Sequence, residues 1–218
     1  MLALTLLTGS AFSQSVVSII KPTKNLPIPE AIRDKLSGFA AAEAFSSLPN
    51  QDVVVAYDTI QARPGTADFM DNRPHIAILS KNNVKMNLDL QELAGVGPVL
   101  FQSMAVLREQ ESNAIAVFAL ALGVDTSSTF FVFVGRETSE YKVTATLKGT
   151  QAQLRLRPNS QVEFWSGNGL EPCVWCPKHY TTTTLAWRKG KLSSLATSVS
   201  KREYRPEDFA DRPLVAQR

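Results

Sequence analysis

From Gln51 to Ser200 the chain repeats one local pattern: short runs of β-branched and aromatic residues, each closed by residues that favour turns. A lone strand leaves its backbone N–H and C=O groups unpaired, so runs of this kind must find neighbours, and short polar connections favour antiparallel ones. Residues 53–60 form the first such run. Residues 75–81 and 84–90 flank Asn82-Asn83, 129–136 and 141–148 flank Glu137-Thr-Ser-Glu140, and 152–157 and 161–165 flank Pro158-Asn159-Ser160. A last hairpin joins 180–188 to 192–200 across Lys189-Gly190-Lys191.

Two runs differ from this alternation. Residues 114–122 are almost wholly apolar, as expected of a central strand covered on both faces, although periodicity alone leaves a buried helix open. Residues 99–108 alternate poorly and fit strand or helix. In Leu154-Arg155-Leu156-Arg157 the leucines face one side and the arginines the other, which marks a strand with one wet face. Residues 91–94 read as a loop, because Gly95, Gly97 and Pro98 follow directly.

Upstream of the strands, Pro29 and Glu30 open a helix expected over residues 30–48. Proline suits the first turn, and Ile32, Leu36, Phe39, Ala40 and Ala44 recur at helical spacing until Pro49-Asn50. The fold class is therefore mainly β, all-β or α+β: an antiparallel, hairpin-rich sheet of about nine strands, sandwich or propeller-like, with one N-terminal helix.

Four segments result. Residues 1–13 read as an export signal, with the apolar Leu2-Ala-Leu-Thr-Leu-Leu7 followed by small Ala11 and Ser13 before Gln14. No Lys or Arg precedes that apolar core, and an uncleaved anchor is the competing reading because residues 1–20 carry no charge. Thr5, Thr8, Ser10 and Ser13 make the segment polar for an anchor, and with no cysteine beside it a lipoprotein anchor is excluded. Residues 14–28, with Pro22 and Pro27, read as extended chain over a surface; residues 29–200 form a single β-rich domain; residues 201–218 are a charged, solvated tail. No later segment is apolar enough to span a membrane, so the expected location is secreted or periplasmic.

A net charge of +3 with 20% charged residues gives no basic surface, which argues against nucleic acid as a partner. The chain has no Gly-x-Ser-x-Gly elbow, phosphate-binding glycine loop or His-Glu-x-x-His motif, and its two histidines restrict any triad to His75 or His179. His75 begins an apolar strand and reads as a structural, hydrogen-bonded histidine. Asp68, Asp71 and Asn72 lie where a cation loop is conceivable, but a solvated turn accounts for them.

Both cysteines and His179 fall in Glu171-Pro-Cys-Val-Trp-Cys-Pro-Lys-His-Tyr180. In an exported chain Cys173 and Cys176 are expected to form a disulfide, which would set local shape more than global stability because the loop it closes is so short. A redox pair would need a helix N-terminus to activate Cys173, whereas Pro177 and the threonine-rich strand that follow supply none. Cys173, Cys176 and His179 together give three potential zinc ligands where a structural site wants four.

The expected function is an exported, non-enzymatic β-rich binding or envelope-associated module. It carries a local disulfide, and its partner is a protein or a glycan met by exposed Trp165, Trp175, Tyr180 and Trp187. The alternative is a thiol- or metal-dependent protein, with zinc as the metal, centred on Cys173, Cys176 and His179. No other cofactor is implied.

Overall fold

The computed structural model describes residues 16–62, 70–95, 99–108, 115–123, 128–157, 161–168, 177–188, 191–203 and 214–216. Their strands form three sheets, each built on four sequence-consecutive strands in an antiparallel meander. The first sheet has the order β2 (Phe39–Ser47), β3 (Val53–Ala62), β4 (Met70–Ser80) and β5 (Asn83–Asp89). In the middle sheet β1 (Val16–Ile20) precedes β6 (Val99–Arg108), β7 (Ile115–Gly123), β8 (Ser128–Glu137) and β9 (Glu140–Thr150). The third sheet runs β13 (Lys191–Val199), β12 (Tyr180–Arg188), β11 (Gln161–Gly167), β10 (Gln153–Leu156) and β14 (Leu214–Ala216), with β14 parallel to β10.

The sheets stack as a sandwich of three layers, and the residue pattern of β8 shows why. Phe130, Val132 and Val134 point into one core with Val54, Ala56, Ile76 and Ile78 of the first sheet. Phe131 and Phe133 point into the other with Leu154, Val162, Leu185 and Trp187 of the third. Successive residues of a strand face opposite sides, so a five-residue apolar run requires both sides to be dry. Strand β6 obeys the same rule, sending Met104 and Val106 to the first core and Ala105 and Leu107 to the second. From Ile115 the nearly all-apolar run 114–122 forms β7, third of the five middle strands, as expected of a central strand.

The two ends of the stack are closed differently. The outer face of the first sheet carries Val55, Tyr57, Ala77 and Leu79, which are covered by Leu26, Ile28, Ile32 and Leu36 from the N-terminal segment. On the third sheet the outer face bears Gln153, Arg155, Glu163 and Thr184, polar and half-buried, with Glu163 paired to Arg157 at 2.8 Å.

Several expectations are corrected. The helix expected over 30–48 is a single turn, α1 (Glu30–Arg33), and Phe39–Ser47 is β2. Gly38, with φ of 68°, ends the turn in a conformation that favours glycine, and the alanine-rich segment then pairs with β3, burying Ala42 and Ala44 on opposite faces. Helix propensity amounts to tenths of a kcal/mol per residue, and sheet packing overrides it. Within the segment 14–28, Val16–Ile20 is paired with β6, while Thr23 N–H donates to Glu43 O at 2.7 Å and Leu26 N–H to Ala42 O at 2.9 Å. Residues expected as a loop form α2 (Leu90–Ala94), because Asp89 accepts from the N–H groups of Gln91 and Glu92 and so supplies the N-cap. The turn placed at Asn82-Asn83 is at Lys81-Asn82, both with positive φ, and Ser80 pairs with Asn83. In the tail, Leu214–Ala216 joins the third sheet instead of remaining solvated. No helix among the described residues is long and apolar enough to cross a membrane.

Candidate functional site

Three hairpin turns from two layers meet at one end of the stack. The β2–β3 turn brings Asn50 and Asp52, the β4–β5 hairpin brings Ser80 and Lys85, and the β8–β9 turn brings Arg136, Ser139, Glu140 and Tyr141. Together Asp52, Ser80, Lys85, Arg136, Ser139, Glu140 and Tyr141 line a half-open cavity of about 500 Å3. Every lining residue is polar, and the only ring is that of Tyr141.

Backbone geometry aims these side chains. Gln51, Lys81, Asn82 and Thr138 all have φ between 47° and 69°, a region that non-glycine residues seldom occupy. Thr138 is β-branched and pays the most strain for it, with its Oγ1 donating to Glu137 O at 2.6 Å. In β5 the register slips between Ile78 and Leu79, so that Lys85 is the extra residue of a bulge and is turned toward the cavity wall.

At the floor lies a buried carboxylate. Asp52 is 6% exposed, and its Oδ2 accepts from Tyr141 OH at 2.6 Å and from Asn50 Nδ2 at 2.5 Å. Asn50 Nδ2 also reaches Tyr141 OH at 3.0 Å. Burial by itself would raise the Asp52 pKa, but hydrogen bonds from Tyr141, Ser80 and Asn50, with the charge of Arg136, outweigh it and hold the carboxyl below its ordinary 3.8. Burial first, then the bond to Asp52, pushes the Tyr141 phenol far above its ordinary range. Arg136 lies over the Tyr141 ring with Cζ 5.8 Å from the centroid, and its Nε–H is buried without an acceptor among the described residues. The cavity therefore sets one hydrogen-bonded carboxylate, Asp52, beside the guanidinium of Arg136.

A second ionisable pair sits between β2 and β3. Glu43 is the extra residue of the bulge between Ala42 and Ala44, near Asp58. Burial, reinforced by the Asp58 charge and opposed by Lys24, raises the Glu43 pKa from 4.5 to about 7. A folded-state pKa above the unfolded one means that the contribution is fully present below about pH 4.5 and is lost as pH rises through about 7. Glu43→Gln is accordingly expected to leave thermal stability unchanged at pH 4 and to raise it at pH 8. Because the side chain is half-exposed, the gain is discounted to about 1 kcal/mol, or about 2–4 °C. Paired melting curves at the two pH values check the sign.

The residues singled out by sequence do not converge on the cavity. Tyr180 and Trp187 are 2% and 1% exposed, so neither is a surface contact; Trp187 stacks on Phe133 with centroids 6.4 Å apart. Trp165 is half-buried on the outer face of the third sheet, with Arg155 Cζ 4.5 Å from its ring centroid. Cys173, Trp175 and Cys176 lie outside the described residues, as does Asp68. His179 is half-buried at the neck of the β11–β12 loop, its carbonyl accepting from Asn168 N–H at 2.9 Å. That neck is tight, because a Cβ on Gly167 would lie 2.5 Å from Pro177 Cγ. Among the described residues no group of three His, Cys, Asp or Glu side chains could hold a metal ion. His75 is structural as expected, with Nε2 3.2 Å from Thr59 Oγ1 and its ring 5.2 Å from that of Tyr57. Asn72, taken as part of a turn, belongs to β4.

The cavity residues went unseen because they come from three separated segments and share no motif. Their one local signal is the positive-φ turn chemistry, and of those four positions only Asn82 carries a residue that advertises it. No family model matches the chain, and no curated protein or solved structure does either.

Proposed function

We propose that the chain is an exported, non-enzymatic β-rich binding module that receives a polar group of its partner in the cavity at the three turns. The observation that carries this reading is the cavity itself, an all-polar recess on whose wall Lys85 and Arg136 form no ion pair among the described residues. A polar acceptor that reaches the Arg136 guanidinium from the cavity forms charge-assisted hydrogen bonds with it. Binding is favoured over acid–base catalysis because Asp52 is held ionised and Tyr141 protonated across the neutral range, leaving neither poised to transfer a proton. Export rests on residues 1–13, and with it a Cys173–Cys176 bridge within the β11–β12 loop.

A thermal-shift panel of sugars, sugar acids, amino acids and short peptides tests the site. At least one compound is expected to raise the wild-type melting temperature by about 2 °C or more, as mass action requires of a ligand well above its Kd, and Arg136→Gln is expected to abolish that rise. A compound whose effect survives Arg136→Gln but is lost in Trp165→Ala would move the site to the outer face of the third sheet. The intact mass of the same secreted sample is expected to be two hydrogens short of the reduced chain; a full complement of hydrogens would remove the disulfide.

A further inference from the structure

The cavity lining is charged as well as polar. It carries two cations, Lys85 and Arg136, and two carboxylates, Asp52 and Glu140. Asp52 is already engaged by Tyr141 and Asn50, Glu140 is an exposed carboxylate with only a loose 3.8 Å contact to Lys142 Nζ, and neither Lys85 nor Arg136 forms an ion pair among the described residues. The unmet demand is therefore for an anion. Arginine meets a carboxylate or a phosphate through a planar fork of N–H donors.

Three features narrow the class. Asp52 and Glu140 offset the charges of Lys85 and Arg136, so the lining is neutral overall and a dianion such as a phosphate ester, with twice the charge of a single carboxylate, is the less well accommodated of the two. The lining has no aliphatic side chain, and the one ring, Tyr141, is covered by Arg136, which leaves no slot for a fatty or aromatic body. Ser80, Ser139 and Glu140 ring the cavity with hydroxyl and carboxylate groups suited to ligand hydroxyls.

We infer that the ligand is a polyhydroxylated monocarboxylate of the uronic-acid class, its carboxylate on Arg136 and Lys85 and its hydroxyls toward Ser80, Ser139 and Glu140. This rests on reading the cavity as the binding site. A free sugar acid and an acidic residue of a glycan chain share that chemistry, and the half-open cavity accepts either.

Calorimetric titration of the full chain with D-glucuronate, D-glucose, glucose 6-phosphate and a polyglucuronate oligomer tests the inference. Glucuronate is expected to bind at least tenfold more tightly than glucose or glucose 6-phosphate. Arg136→Gln is expected to weaken it tenfold or more, and Lys85→Gln, an exposed position whose change leaves the core intact, severalfold. An oligomer that binds more tightly than the monomer identifies a glycan as the source, and equal affinity per sugar identifies the free acid. Equal binding of glucose or of the phosphate ester, or glucuronate binding unaffected by both substitutions, would overturn the uronic-acid assignment. If glucuronate fails while another polar compound still depends on Arg136, the ligand class falls and the cavity stands; if no polar compound binds, both fall.

Discussion

Phe133→Ala is expected to destabilise the fold by about 3–5 kcal/mol, the cost of emptying a buried aromatic site. Phe133 is 0% exposed and stacks on Trp187, so the change opens the core between the middle and third sheets. The informative comparison is its neighbour. Val132 is 1% exposed in the opposite core, and Val132→Ala is expected to cost about 1.5–3 kcal/mol. In a sheet with one wet face, one of two adjacent positions would sit near zero, within about 0.5 kcal/mol. Urea unfolding of alanine variants at Phe131, Val132, Phe133 and Val134 is thus expected to show four consecutive costly positions. An alternation of large and negligible losses would contradict the doubly buried middle sheet.

Asp52→Ala carries the second large effect, about 3 kcal/mol at pH 7, because it removes the acceptor of two close hydrogen bonds and strands the Tyr141 O–H at the cavity floor, leaving Asn50 Nδ2 only its bond to Tyr141 OH. The loss is pH-dependent with a definite sign. Asp52 has a folded-state pKa below its ordinary 3.8, so its contribution is fully present above that value and disappears as pH falls through the lower, folded-state one. Asp52→Asn should therefore be clearly less stable than wild type at pH 6, and the gap should close progressively below about pH 3.8. Chemical denaturation at pH 6 and pH 3 measures it. A gap that is constant with pH would mean that the carboxylate is not held ionised by Tyr141, Asn50 and Ser80.

These two sites show which parts of the molecule were legible in the sequence. The apolar run 114–122 was legible as a central strand, and the structure makes Ile115–Gly123 the third of five; that Phe130-Phe-Val-Phe-Val134 is dry on both faces was equally written in its composition but was read only as half of a hairpin. Hairpins 129–148 and 180–200 were legible for the same local reason. The segment 39–47 was not: Ala40-Ala-Ala-Glu-Ala44 has the local preferences of a helix, and only pairing with β3 across the turn at 48–52 makes it a strand. Trp187 was misplaced because hairpin chemistry fixes alternation but not which face is dry. The cavity escaped entirely, since Asp52, Lys85 and Arg136 are brought together by the stacking of two sheets and by a bulge, and long-range contacts of that kind leave no spacing to read.

The assignment of the cavity is tested most directly by mapping amide shifts of the 15N-labelled protein on titration with a pool of uronic acids, neutral hexoses and amino acids. The expected result is a set of saturable perturbations confined to residues 50–52, 80–85 and 136–141, lost in Arg136→Gln. Perturbations centred on Trp165 and the outer face of the third sheet, or none at any residue, would contradict it.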